Sequence, residues 1–400
     1  MYTETDRDVC ELELHILQNT IHTNKHRKMK KTGIIINEIE IYKSPIKLKE
    51  PFVISLGPFT HAQNVVIVIH TNEGITGSGE CSPFMSINGE SMDTCFIVGQ
   101  YLAKALKGKN ALDIEGCTEA MEKTIFGNTS IKSAFDMALY DIVAQHAGVP
   151  LYRYLGGEKG KKVQIDYTVS IGDPQKMAKD ALSIVQKGFQ IIKVKLGESR
   201  EADVERIRLI REAIGMDIPL RIDANQGWSA DSAIEILHAV QPYNIQLCEE
   251  PIARWAFMEL PHIRRESPIP IMADESCCNH HDAARLLQLE ACDMFNIKLG
   301  KSGGIYDALK IINIAEENNI VTQIGGFLES RLAFTASAHL ALASEMIQYY
   351  DFDTPLMFVE DPVVGGITYG PHGEITVPEV PGLGAKMDDE YLRSLESVTV

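Results

Sequence analysis

The sequence contains no apolar run near the roughly 18 residues that a membrane-spanning helix needs. Its N-terminus also lacks the continuous apolar core of a secretory signal. We therefore expect a cytoplasmic protein with no membrane partner.

Paired cysteines and an excess of positive charge are also missing. The eight cysteines form no CxxC pair and have no partnering histidine spacing, which argues against a zinc site or a disulfide scaffold. The formal net charge of −17 argues against a nucleic-acid or anionic-membrane surface. These absences favour a free-standing soluble enzyme acting on a small molecule.

The 400 residues are enough for two domains with a large core. Residues 1–32 are polar and mixed in charge, and we expect a disordered extension there. Residues 33–158 alternate as strands and then follow helical patterns near 91–106, 113–125 and 130–147, which predicts an α+β capping domain. A loop at 54–62, between the first two strands, has the composition of either a bland connection or a lid over a neighbouring site.

Residues 159–355 follow a repeat of apolar strands that each end in a polar residue. The polar ends at 195, 223, 249, 274 and 298 are spaced by 24 to 28 residues, the length of one strand, one helix and two short loops. Eight such strands are present, and no helix is predicted between the eighth strand and Pro362. The pattern predicts a (β/α)7β modified TIM barrel, with residues 356–400 returning to the capping domain.

The strand ends carry a candidate active site, because the ends on one face of such a barrel hold the catalytic residues. Lys195 ends the second strand and Lys298 ends the sixth, so they lie opposite each other in a ring of eight. The carboxylates Asp223, Glu249 and Asp274 end the three strands between them.

Three converging carboxylates repel one another unless they share a cation, and ligation by oxygen alone favours Mg²⁺. Two bases on opposite sides of one carbon suit a 1,1-proton transfer, in which Mg²⁺ stabilises an enediolate between the two steps. Nearby cations would help to lower the pKa of a lysine enough for it to act as a base.

These residues resemble the enolase superfamily, in its muconate-lactonizing (mandelate racemase/muconate lactonizing enzyme) subgroup, over nearly the whole chain from residue 33. The motifs that carry the resemblance are Lys193-x-Lys195, Asp223-Ala224-Asn225-Gln226-Gly227-Trp228, Glu249-Glu250-Pro251, Ala273-Asp274-Glu275-Ser276 and Asn296-Ile297-Lys298 followed by Gly303-Gly304. The resemblance implies that Lys195 and Lys298 are the acid/base pair, and that Asp223, Glu249 and Asp274 bind Mg²⁺. It also implies that Lys193 supports the substrate carboxylate. The family pattern has Gln where this chain has Glu250.

The eighth strand narrows the reaction, because Asp351 and Asp353 place two carboxylates on one face at its end. They suit a cationic group some distance from the metal, such as the α-ammonium of a dipeptide. Asp-x-Asp here resembles the dipeptide epimerases, which invert the second residue. In that family, positions matching Thr168 and Gly326 contact the substrate.

The 54–62 loop bears on the substrate. Epimerases acting on Ala-Glu carry an arginine at the position of Gly57, so we expect Ala-Xaa dipeptides with small or hydrophobic Xaa, such as Ala-Ala or Ala-Val. The alternatives are an Ala-Glu epimerase, an N-acyl amino acid racemase or o-succinylbenzoate synthase, and an inactive metal-binding barrel. Barrels of this kind often form symmetric assemblies, so we expect a homo-oligomer.

Overall fold

The structure is a computed structural model that describes residues 33–400; the extension predicted at 1–32 lies outside this range. The chain first forms an antiparallel sheet of β1 (Ile36–Ile54), β2 (Gly57–Thr71) and β3 (Thr76–Cys81). Alternating residues of β1 such as Ile39 and Ile41 are fully buried, as expected for a sheet with one face on a core.

Three helices cover this sheet, at Met92–Leu106, Ile114–Thr124 and Thr129–Ala147. The first begins with a capping box, in which Ser91 and Thr94 satisfy each other's backbone N–H groups. The third is buried along most of its length, from Ser130 to Ala144, because it lies between the sheet of the cap and the second domain. These bounds are close to the predicted helical patterns.

The second domain is a barrel of eight parallel strands that pair in chain order. They are β5 (Tyr167–Val169), β6 (Ile192–Lys195), β7 (Leu220–Asp223), β8 (Ile245–Glu249), β9 (Ile271–Ala273), β10 (Met294–Lys298), β11 (Val321–Gly325) and β12 (Ile347–Tyr350). The ring closes beside β5, where the Asp166 N–H donates to the Tyr350 carbonyl at 3.2 Å.

A helix follows each of the first seven barrel strands. These helices span Pro174–Gln186, Arg200–Ile214, Ala230–Val240, Leu260–Glu266, His280–Gln288, Ile305–Asn318 and Arg331–Ala341. The eighth strand is followed directly by a short 3-10 turn at Thr354–Met357 instead of a barrel helix, so the predicted (β/α)7β barrel with its capping domain is confirmed. Within residues 33–400, no helix is both long and apolar enough to cross a membrane.

The first predicted barrel strand is divided in two, which corrects its expected course. Its start, β4 (Val163–Gln164), pairs outside the barrel with a C-terminal strand at Glu374–Thr376, and only Tyr167–Val169 joins the ring. Further short strands lie at Val363–Gly365, Thr368–Tyr369 and Ala385–Met387. A last strand, Ser397–Thr399, pairs antiparallel with β1. The domain boundaries at 33–158, 159–355 and 356–400 stay predictions.

Buried acids of the cap hold the starts of two barrel helices. Glu80, at the end of β3, accepts hydrogen bonds from the backbone N–H groups of Ser330 (3.1 Å) and Ala333 (3.2 Å). Asp136, from the helix Thr129–Ala147, accepts from the N–H groups of Ile305 and Tyr306. Free N–H groups at a helix start carry partial positive charge and favour an acid. These contacts fix the cap over the mouth of the barrel.

Candidate active site

The predicted catalytic and metal-binding residues meet at one mouth of the barrel. In the register of the sheet Lys195 lies beside Asp223, and Asp223 lies beside Glu249. Asp274 directly follows β9, and Lys298 ends β10, four strands away from β6. The three carboxylates are fully buried, and both lysines are at most 6 % exposed. The predicted order of charges around the ring is therefore present in the structure.

Lysine side chains connect the acids of this ring. The ammonium nitrogen of Lys193 lies 2.7 Å from Glu249, 2.8 Å from Asp351 and 3.3 Å from Asp223. Lys195 lies 2.6 Å from Asp223. On the far side Lys298 lies 2.7 Å from Asp274. Because one ammonium reaches both Asp223 and Glu249, these two carboxylates are close enough to share a single cation.

Neutral side chains orient Glu249 within the ring. Asn296 and Gln323 donate to its two oxygens at 2.8 and 3.2 Å. Burial raises the pKa of Glu249 to about 7, and the charge of Asp223 adds to the shift. The charged form of this buried carboxylate is stable only when a strong positive charge lies beside it. The set of carboxylate oxygens therefore fits a hard divalent cation such as Mg²⁺.

The three carboxylates do not form a tight cluster by themselves, since each pairs with a lysine. Among residues 33–400, the three-residue group whose candidate metal-binding atoms lie within 4.8 Å of one another is Glu38, Glu40 and His70. Its residues lie on β1 and β2 of the cap sheet, and His70 already contacts Glu40 at 2.9 Å.

Glu250 points away from the ring, which leaves Glu249 as the inward-facing member of the pair. Its backbone has a φ of +34°, a conformation that costs a non-glycine residue energy and is typical of functional sites. Its carboxylate accepts hydrogen bonds from the N–H groups of Asp274 (2.7 Å) and Ser276 (3.2 Å). Glu250 thus holds the backbone that presents Asp274.

The pKa of Lys298 lies above its ordinary value, whereas a lowered pKa was expected for a catalytic lysine. Burial lowers the pKa of Lys298, but the charges of Asp274 and Glu249 raise it by more. Lys193 acts in the expected direction, but it is outweighed by the carboxylates.

Sequence reasoning missed a fourth lysine, Lys301. Its ammonium lies 2.6 Å from Asp274 and donates to the carbonyls of Cys277 (3.1 Å) and Asn296 (2.9 Å). Lys301 sits one helical turn after Lys298, in a turn at Leu299–Ser302. The three-residue spacing between Lys298 and Lys301 could have predicted this contact, because residues three apart on a helical turn lie on the same side and can reach the same carboxylate.

Above the ring lies a cavity that is partly open to solvent, here called the inner cavity. Six of the ten predicted site residues line it, and they are Thr168, Lys195, Lys298, Gly326, Asp351 and Asp353. The other four, Lys193 and the three predicted metal ligands, lie around or beneath it in the ion-pair ring. Apolar side chains of both domains complete the walls, namely Phe52, Ile54, Phe84, Ile87, Phe327 and Leu328.

Asp351 and Asp353 have different partners. Asp351 is paired with Lys193 and therefore belongs to the ring. Asp353 accepts the backbone N–H of Thr168 at 2.6 Å. Burial and the charge of Asp351 raise the pKa of Asp353 well above its usual value. A positively charged ligand beside Asp353 would favour the charged form of this carboxyl.

Gly326 leaves no room for a side chain. A Cβ there would lie 2.5 Å from the ring of Phe334 and 2.6 Å from the carboxylate of Glu329. Only glycine fits at position 326, because Phe334 and Glu329 approach its backbone closely. Its bare backbone is also open to contact with a ligand.

The segment predicted as a loop at 54–62 is instead the tip of a β-hairpin. Pairing of β1 with β2 continues to Ile54 and Gly57, so the connection is only two residues long. Gly57 has a φ of +125°, which few other residues adopt. The Ser55 hydroxyl donates to the Asn225 carbonyl at 2.7 Å and holds the tip against the barrel. The apolar alternation of Phe52 and Ile54 was the missed strand signal.

Comparison with known proteins agrees with this geometry. Residues 36–156 match the model of the mandelate racemase / muconate lactonizing enzyme N-terminal domain, and residues 176–391 match the enolase C-terminal domain-like model. A D-Ala-D/L-Ala epimerase from Cytophaga hutchinsonii is 62 % identical over 92 % of this chain and 100 % of its own length. The chain belongs to the mandelate racemase and muconate lactonizing enzyme family of the enolase superfamily, among its dipeptide epimerases.

Solved structures of this family agree closely with the fold. A dipeptide epimerase from C. hutchinsonii, complexed with Mg and D-Ala-L-Val, superposes with a TM-score of 0.91 at 62 % identity, covering 92 % of this chain and 100 % of the other. An N-succinyl Arg/Lys racemase from Bacillus cereus superposes with a TM-score of 0.89 at 34 % identity, again covering 92 % and 100 %. The predicted family is confirmed, while the roles of individual residues stay predictions.

Proposed function

We propose that this protein is a Mg²⁺-dependent dipeptide epimerase that inverts the α-carbon of the second residue of Ala-Xaa, where Xaa is small or hydrophobic. One observation carries the proposal. Lys195 and Lys298 enter one cavity from opposite sides of the barrel, and that cavity also holds Asp353. The relative that is 62 % identical is a D-Ala-D/L-Ala epimerase, which supports this class of substrate.

The ring of charges suggests how a dipeptide lies in the inner cavity. Asp223, Glu249 and Asp274 would hold Mg²⁺ and, through it, the substrate carboxylate. The ammonium group of the first residue would lie at Asp353, with Asp351 close by. This places the α-carbon of the second residue between the two lysines.

Each lysine then acts on one face of that carbon. In its neutral form one lysine removes the α-proton, and the other, in its ammonium form, returns a proton from the opposite face. The roles exchange in the reverse direction, so both configurations are substrates. Mg²⁺, when bound, supplies the positive charge that stabilises the negative charge developing on the carboxylate. Lys193, close to Glu249 and Asp223, adds positive charge at the same end.

The walls of the inner cavity favour an apolar second side chain. Among residues 33–400, the lining of this cavity provides no cation apart from the two lysines, so a glutamate side chain would be buried without a partner. His61 of the hairpin lines a neighbouring groove instead. This disfavours Ala-Glu. The carboxylates at 351 and 353 disfavour an N-acyl substrate, which has no ammonium group.

Deuterium exchange tests the proposal directly. The protein would be incubated with Mg²⁺ in D₂O, separately with L- and D-Ala forms of Ala-Ala, Ala-Val and Ala-Glu and with N-succinyl amino acids. We expect deuterium at the second α-carbon of Ala-Ala and Ala-Val, detected by NMR, and its loss when EDTA is added. Exchange confined to the N-succinyl compounds would refute the dipeptide assignment, and exchange fastest with Ala-Glu would refute the proposed side-chain preference.

A further inference from the structure

A second space lies immediately outside the inner cavity. This outer groove runs between the hairpin tip and the loop after β3, and Leu56, Phe59, His61 and Met85 are among its walls. It is mostly apolar and open to solvent at Met85, which is 77 % exposed. Two residues of the described range line both spaces, Phe84 from the cap and Leu328 from the barrel.

Phe84 is held firmly in this dividing wall. Its ring lies 4.5 Å from the ring of Phe59 and stacks 5.3 Å from that of Phe327. Its carbonyl accepts hydrogen bonds from the N–H groups of Ile87 (3.1 Å) and Asn88 (2.8 Å). The residue is 6 % exposed. A ring packed against two other rings and held at its backbone cannot swing aside easily to admit a larger group.

The orientation of the substrate directs its second side chain toward this wall. The carboxylate end points to the ring of acids, the ammonium end points to Asp353, and Lys195 and Lys298 occupy the two faces of the α-carbon. The remaining direction leads away from the barrel, toward the apolar residues contributed by the cap. Phe84 stands there between the inner cavity and the outer groove.

We propose that Phe84 sets the upper size limit of the second side chain by closing the inner cavity toward the outer groove. The inference rests on the proposed function, since it concerns the same substrate. A smaller residue at position 84 would join the two spaces. Side chains as large as leucine or phenylalanine would then extend into the outer groove.

Variants at position 84 test this role. Phe84→Ala and the milder Phe84→Leu would be compared with Met85→Ala, which alters the outer groove alone. The measured quantity is the ratio of kcat/KM for Ala-Phe to kcat/KM for Ala-Ala. A difference of one methylene in an apolar pocket changes such ratios by roughly 10- to 200-fold. We expect the ratio to rise at least tenfold in Phe84→Ala, to rise by less in Phe84→Leu, and to stay unchanged in Met85→Ala.

The possible outcomes separate this inference from the proposed function. If wild-type protein exchanges no dipeptide, the proposed function fails before position 84 is tested. If wild type and Phe84→Leu both turn over Ala-Ala but the ratio stays at its wild-type value, the size-limiting role is wrong. An equal rise of the ratio in Met85→Ala would also overturn it, because the limit would then lie in the outer groove.

Discussion

The charge of Asp353 offers the sharpest test of how the substrate is oriented. In Asp353→Asn the side-chain oxygen can still accept the Thr168 N–H that Asp353 accepts at 2.6 Å. The change therefore removes the carboxyl that can become negatively charged beside a bound ammonium group, while keeping the shape and the backbone contact. We expect the fold to persist and the affinity for the substrate ammonium to fall.

The size of the effect follows from the kind of bond that is lost. A hydrogen bond to a charged group contributes roughly 1.5–3 kcal/mol, and a neutral one roughly 0.5–1.5 kcal/mol. The difference of about 1–2 kcal/mol corresponds to roughly a 5- to 30-fold increase in KM, since about 1.4 kcal/mol is tenfold. The value of kcat should change little, because Asp353 does not contact the reacting carbon.

The assay compares ligands with and without the ammonium group. KM for Ala-Ala is measured by α-proton exchange, and Ki for N-acetyl-Ala-Ala is measured by competition. In Asp353→Asn the KM should rise while the Ki stays within about twofold of wild type. Asp217→Asn, on an exposed turn before β7, is the matched control and should change neither value. Equal losses for both ligands, or no loss for Ala-Ala, would refute the assignment of Asp353 to the ammonium.

Three further predictions concern catalysis and stability. Lys298→Ala should slow epimerisation by roughly 10²–10⁴-fold while isothermal titration still detects Mg²⁺ binding; loss of the metal would contradict the assignment. Glu80→Ala should lower the free energy of unfolding by about 2–4 kcal/mol in urea titrations, and exposed Glu73→Ala by less than about 0.5 kcal/mol. His339 accepts the Tyr152 N–H, and burial lowers the pKa of His339 to about 4. Between about pH 6.5 and about pH 4 this histidine is therefore protonated in the unfolded chain but neutral in the folded protein. The free energy of unfolding consequently falls as the pH drops through that range. The loss should reach about 3 kcal/mol in wild type and be smaller in His339→Gln; equal losses would argue against the histidine.

The ring of charges was predictable because it repeats with the strands. A single polar residue at the end of an apolar run predicts little. A lysine, three acids and a second lysine at the ends of successive runs predict both the barrel and the face that carries the active site. Lys301 escaped prediction because it lies on a helical turn, outside that repeat. Its role depends on the turn bringing it back to Asp274.

Contacts between the domains were harder to predict. Phe84 lies in a loop of the cap, and nothing in its local sequence indicates that it reaches a cavity formed largely by barrel residues. The hairpin at 54–62 was mistaken for a loop because its glycine and proline outweighed the alternation of Phe52 and Ile54. The local sequence predicts only that Glu80 is a polar residue at a strand end. Its role in capping a helix could not be predicted, because that helix begins 250 residues further along the chain.

The pairing of the last strand with the first has a consequence for synthesis on the ribosome. Tyr42 of β1 pairs with Ser397, so one side of β1 stays without this partner until residue 397 has been synthesised. At roughly 5–20 residues per second, that wait lasts about 20 to 70 s. Unpaired strand edges invite association with other chains, and charged side chains discourage it. Glu40 and Lys43, at the waiting edge of β1, are placed to protect the nascent chain during this interval.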